Sequence, residues 1–205
     1  LFKNKKILVT GGTGLIGRQV INIFNENNIS VTSLSLDNIK PDDNNQYIHG
    51  DLTDLNLCKK VTKKCDYVFH LAGIKGSADV TVKKISSHFV PTIMMNTNIL
   101  EAARFNEVNN LVYTSSIGAY SNSEIFEEKN YSLASEPMDF AGWAKRLAEL
   151  QIFSYKKQYD LKNYKVVRPS NVYGPGDNFD PNNAMVIPSI LNRILKEENP
   201  LVVWG

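Results

Sequence analysis

Cysteine is scarce in this chain: Cys58 and Cys65 are the two present in 205 residues. They lie seven apart with no His or Cys cluster nearby. That excludes a disulfide scaffold and a zinc site, predicts no metal centre, and fits a reducing compartment. No apolar run reaches the ~18 residues of a membrane span, and the charged start LFKNKK is no signal peptide. A cytoplasmic protein without a membrane partner is expected. Charge of one sign is missing too. A formal net charge of +2 is too small to argue for nucleic acid, and the Lys-Asn stretches KNKK, NENN and DDNNQ carry no functional weight. An initiator Met is also absent, and the strand-like NPLVVWG stops without a cap or partner, so both ends are expected to be incomplete.

What is present is an ordinary globular composition, 42% hydrophobic and 21% charged, sized for one large domain or a domain plus a fragment. Short apolar runs alternate with helical spacing. Strands are predicted at 5–12, 29–36, 46–52, 65–73, 110–116 and 164–174. Helices are predicted at 15–27, 54–64, 90–106, 140–160 and 185–196, the first with Ile16, Val20, Ile23 and Phe24 on one face. Such alternation calls for a parallel sheet covered on both faces, an α/β doubly wound fold of Rossmann type. After Gly174 the texture changes to the turn-rich GPGDNFDPNNA. The expected division is a dinucleotide-binding domain over 1–174 and the beginning of a substrate-binding region over 175–205.

TGGTGLIG (10–17) sets Gly11, Gly14 and Gly17 between the first strand and first helix. A pyrophosphate must approach backbone N–H groups there, which a Cβ would obstruct, and the helix N-terminus favours its charge. Leu15, Ile16 and Arg18 fill the first turn beside it. The end of the second strand should read the ribose. Ser35 stands at the expected distance, Asp37 lies two further on, and Arg18 follows the last glycine. An acid there selects NAD and an arginine accommodates NADP, so both cofactors stay open.

Together with GDLTD, VFHLAGIK, NILEAA, LVYTSSIGAY, WAKRLAE and VVRPSNVYGPGDNF, in this order and spacing, the chain resembles the extended short-chain dehydrogenase/reductases. The likeness is to their NAD-dependent epimerase/dehydratase group, which modifies nucleotide sugars. The resemblance implies that Asp51 and Leu52 contact adenine, that Leu71, Ala72 and Gly73 pass beneath the cofactor, and that Lys75 reaches its phosphates. It further implies that Ser116 bonds the sugar's reacting oxygen with Ser115 in support. Pro169 and Ser170 would line the nicotinamide and Asn171 would meet substrate phosphate. NAMVIP (183–188), with Val186, would close over the nucleotide. A homodimer through the helices at 90–106 and 140–160 is also implied. His70 reads as a packed strand-end residue.

One departure stands out. The family sets Tyr and Lys at i and i+4 of one helix, the lysine binding the nicotinamide ribose and lowering the phenol's pKa. Lys145 is present, but Ala141 stands at the tyrosine position. Ser116 lies the expected roughly two dozen residues upstream, so the register holds. Phe140 carries no ionisable group and the Trp143 indole only donates. Tyr120 and Tyr131 are candidates in principle, although Tyr120 matches an ordinary family tyrosine. Thr92 replaces a usual asparagine, and Ile117 stands where GDP-fucose synthase-like reductases, which the chain also resembles, carry a cysteine. Two readings follow from this pattern. One is an NAD(P)-dependent nucleotide-sugar epimerase or dehydratase weakened by the missing phenol. The other is a catalytically impaired protein that still binds cofactor and nucleotide sugar. A purely structural domain is disfavoured by the retained glycines and Lys75.

Overall fold

The computed structural model describes residues 1–74, 84–180 and 184–203. Six strands form one sheet: β1 (Ile7–Thr10), β2 (Thr32–Ser35), β3 (Gln46–His49), β4 (Tyr67–His70), β5 (Asn110–Thr114) and β6 (Tyr164–Val167). Their order across the sheet is β3-β2-β1-β4-β5-β6, and every pairing is parallel. The chain reverses its direction of winding between β1 and β4, where folds of this kind place ligands beyond the carboxyl ends of the strands.

Side chains of β1 alternate between the two faces. Ile7 and Val9 pack with Ile21 and Phe24 of α1 (Leu15–Glu26), and Phe2 closes that side edge-on against Phe24 and Tyr67. Leu8 faces the larger core, shared with α2 (Leu55–Thr62), α3 (Ile85–Phe105) and α4 (Phe140–Tyr159). Apolar burial on both faces is what makes β1 a continuous rather than alternating apolar run.

Three expectations change in detail. The buried stripe of α1 is Leu15, Gly17, Ile21 and Phe24, whereas Ile23 is 58% exposed. The third long helix starts at Ile85, not 90, and carries Pro91 inside it. A proline normally marks a helix start. Here the earlier turn is held by packing, with Phe89 edge-on to Phe140 of α4 and Thr92 buried. The sixth strand ends at Val167, before Pro169, and 201–203 form no strand. α5 (Val186–Leu195) buries only Pro188 and leaves Val186 67% exposed. None of the described helices is long and apolar enough to cross a membrane.

Candidate active site

The glycine loop is shaped by contacts that a side chain would destroy. Gly11 has φ +73°, and a Cβ on it would lie 2.7 Å from the Cα and N of Ala72. A Cβ on Gly17 would overlap the Gly11 carbonyl, so α1 docks directly onto the loop. Gly14 is the N-cap of α1, with no side-chain cap and no acid in the first turn. The N–H groups of that first turn, at Leu15 and Ile16, therefore lack intrahelical acceptors and suit an anion.

Thr13 joins this loop to the end of β2. Its N–H donates to Ser35 Oγ at 3.3 Å and its hydroxyl to Asp37 Oδ2 at 2.7 Å. Arg18 turns back to the loop, donating Nε to the Thr13 carbonyl at 2.6 Å. Beyond β2 a small depression is lined by Ser35, Asp37 and Asn38, by Ile39 and Lys40, and by Tyr47, Ile48 and His49. Asp51 starts the next turn, accepting from Thr53 N–H, while the Leu52 side chain is buried in the core.

The floor of the site is the chain leaving β4. Ala72 N–H reaches Thr10 Oγ1 at 3.4 Å, and that hydroxyl meets His70 Nδ1 at 2.7 Å. His70 Nε2 lies 2.9 Å from Asn96 Oδ1, and Asn96 Nδ2 donates to the Tyr113 hydroxyl at 3.1 Å. The set assigns the proton to Nε2, since the amide oxygen can only accept. Full burial pushes His70 down to about 3, so it is neutral and structural. Lys75 lies outside the described residues.

At the end of β5, Ser115 and Ser116 diverge. Ser116 caps a single 3-10 turn (Ile117–Ala119), accepting from Gly118 N–H at 3.2 Å, and Pro169 O accepts from Ile117 N–H at 3.2 Å. Ser115 is buried and donates instead to Glu149 Oε1. Arg168 grips the same carboxylate with Nε at 3.0 Å and Nη2 at 2.9 Å, and Tyr131 donates its hydroxyl to it. The Tyr131 ring lies between two guanidinium groups, Arg168 at 3.5 Å and Arg146 at 4.7 Å.

α4 reaches Ser116 by a close backbone contact. Asp139 caps the helix by accepting from Gly142 N–H at 2.6 Å, and a Cβ on Gly142 would overlap the Gly118 carbonyl. One turn on, Lys145 donates to the Thr114 carbonyl at 2.9 Å and stands over the Tyr113 ring at 5.3 Å. Its Nζ is 3.7 Å from where a Cβ on Gly73 would be. Burial lowers the ammonium to about 8, against the pull of Glu149. Ala141 is exposed. Among the described residues no nearby phenol takes its place. Burial and the Glu149 bond raise Tyr131 to about 12, burial raises Tyr113 well above the ordinary phenol range, and Tyr120 is packed against Phe126 and Tyr131.

The structure thus gathers the glycine loop, Gly73, Ser116, Lys145 and Pro169 at one sheet edge. Asn171 and Val186 are exposed in the segments beyond it. Sequence reasoning missed Thr13, Asn96 and Arg168. Thr13 stood inside the glycine motif and Arg168 inside VVRPSNVYG, so a signal was available for both.

The NAD dependent epimerase/dehydratase family model matches residues 7–205. A candidate UDP-glucose 4-epimerase of Methanocaldococcus jannaschii is 31% identical over 212 residues, covering 96% of this chain and 65% of that protein. A GDP-L-fucose synthase of Azorhizobium caulinodans is 28% identical over 213 residues, covering 99% and 64%. Among solved structures, a UDP-glucose 4-epimerase of Thermotoga maritima with UDP-glucose superposes with a TM-score of 0.82 at 27% identity, covering 94% and 64%. The chain spans less than two thirds of the length of each of these relatives. With the family model over nearly the whole sequence and the parallel sheet that carries its motifs, the chain belongs to the NAD dependent epimerase/dehydratase family.

Proposed function

We propose that this chain is the cofactor-binding part of a nucleotide-sugar epimerase or dehydratase whose proton-transfer step is weakened by alanine at position 141. In this reading residues 1–174 bind the cofactor and 175–205 begin the substrate-covering region. A homodimer formed through α3 and α4 goes with it. The outer faces of those helices expose Val90, Met94, Trp143 and Leu147, among others. The observation that carries the reading is the convergence of Lys145 and Gly73 at the end of β5, where Lys145 bonds the Thr114 carbonyl just before the serine pair, at the carboxyl edge of the sheet that also holds the glycine loop.

The residues fit a dinucleotide. Gly11 and Gly17 occupy positions where a Cβ would collide with backbone, so the loop's N–H groups stay unshielded by side chains, and the α1 N-terminus has no side-chain cap. Asp37, held by the Thr13 hydroxyl, supports NAD over NADP, because a 2′-phosphate would meet a fixed carboxylate. When bound, NAD supplies a hydride acceptor for a sugar carbon. Lys145 offers its ammonium to the ribose hydroxyls. Ser116 already accepts from Gly118 N–H, which leaves its own proton to donate to the sugar oxygen. At Ala141 the proton of that oxygen passes to solvent water, and a missing positioned acid–base typically costs about 10²–10⁴ in rate.

The second reading, a binding protein without turnover, is favoured by one observation: Tyr113 and Tyr131 both spend their hydroxyls elsewhere. The two readings separate on one measurement. UDP-, GDP- and dTDP-hexoses are added to the NAD-loaded protein and product is followed, with Ala141→Tyr alongside. Slow turnover that the tyrosine raises about 10²–10⁴-fold supports the enzyme. Cofactor binding with no turnover in either protein supports the second reading.

A further inference from the structure

We propose that Glu149 is the positioning residue of this site, a single carboxylate that fixes the β5 end carrying Ser116 and acts on Lys145 from one helical turn away. Glu149 is 3% exposed and lies one helical turn beyond Lys145 on α4. Its two oxygens accept four hydrogen bonds from three side chains. Oε1 receives Ser115 Oγ and Arg168 Nε, and Oε2 receives the Tyr131 hydroxyl and Arg168 Nη2. Four separate stretches of chain meet on this group: the β5 end, the 121–138 connection, α4, and the residue after β6.

The geometry does two things. Ser115 is the residue before Ser116, and its N–H is also held by the Val167 carbonyl at 2.8 Å. Backbone and side chain of Ser115 are therefore both pinned, which leaves Ser116 little freedom beyond its own hydroxyl rotation. The second effect is electrostatic. Lys145 faces the Tyr113 ring and the Thr114 carbonyl from β5, neutral His70 from β4, and Glu149 along its own helix. Among the described residues, Glu149 is the anion acting on Lys145. Arg168 pairs with the carboxylate through two hydrogen bonds. Burial alone would discharge a lysine in this setting. The paired carboxylate opposes that.

The assignment rests on the proposed function for its relevance to catalysis, but its test needs neither cofactor nor sugar, so the two can fail separately. The lysines of the cofactor-free chain are reductively methylated with ¹³C, Lys145 is assigned by loss of its signal in Lys145→Arg, and its titration is followed by NMR. Glu149→Gln is expected to lower the Lys145 midpoint by about one pH unit. Glu149→Asp should restore most of it. Tyr131→Phe, which keeps the charge and both Arg168 bonds, should leave the midpoint in place while speeding amide exchange across 121–138. If Glu149→Gln does not fold, Glu149→Gln with Arg168→Gln, which leaves no unpaired buried charge, carries the same measurement. An unmoved midpoint overturns the proposal. So does an equal shift in Tyr131→Phe, which would mean general loosening.

Discussion

In the proposed reading, Lys145 and Asp37 shape how the site holds its cofactor. Burial draws the Lys145 ammonium down to about 8, so a large share of it is the free amine at mildly alkaline pH. Cyanate labelling followed by peptide mass analysis should find Lys145 reacting well ahead of the exposed lysines at pH 8, and bound NAD should protect it. Lys145→Met is expected to weaken NAD binding; unchanged affinity in titration calorimetry would rule out the ribose contact. Asp37 sets the second expectation. NADH should bind at least about tenfold more tightly than NADPH, the cost of facing a 2′-phosphate with a carboxylate, and Asp37→Ser should shrink that gap. Equal affinities for the two cofactors in the unaltered protein would sink the assignment. Lys145 and Ser116 were named from the family resemblance of WAKRLAE and LVYTSSIGAY, which lie on α4 and at the end of β5. The grip of Arg168 on Glu149 was not legible in the sequence, since it joins side chains 19 positions apart on different elements and no local periodicity encodes it.

Elements carry the geometry through backbone contacts. α4 meets the turn after Ser116 at Gly142 and Gly118, with no side chain between them. Gly142→Ala must therefore separate helix from turn. It is expected to cost about 1–3 kcal/mol in urea unfolding. A wild-type urea midpoint would show that the contact yields freely. The six strands and five helices were readable from periodicity, while the strand-like stretch near the end of the sequence forms no strand at 201–203. Boundaries were harder, and α3 shows why: Pro91 reads as a start, while the contact between Phe89 and Phe140, invisible along the chain, extends the helix back to Ile85. The misjudged face of α1 has a similar cause. Ile16 and Ile21 are equally apolar, and only the docking of Gly17 onto the loop fixes which stripe turns inward.

At the scale of the molecule, acid acts through His70. Its folded pKa of about 3 lies below the ordinary 6.5, so the unfolded chain binds the extra proton between those values. Its contribution to stability is complete above pH 6.5 and falls as the pH drops toward 3, by up to about 1.4 kcal/mol per pH unit. Urea midpoints measured at pH 7 and pH 5 should show the loss, and His70→Asn should flatten it. A parallel decline in the variant would assign the acid sensitivity to other groups.

The strand order has a consequence for synthesis. β1 is made first yet lies in the middle of the sheet, bonded to β2 on one side and to β4, some sixty positions later, on the other. An emerging chain can cover one flank of β1 early, but the second stays open until His70 has left the ribosome. The reactive edge closes later still, because Ser115 N–H waits for Val167. A nascent chain arrested between these two points would hold its glycine loop already formed and its serines unplaced. In the proposed reading it would grip a phosphate before it could hold a sugar.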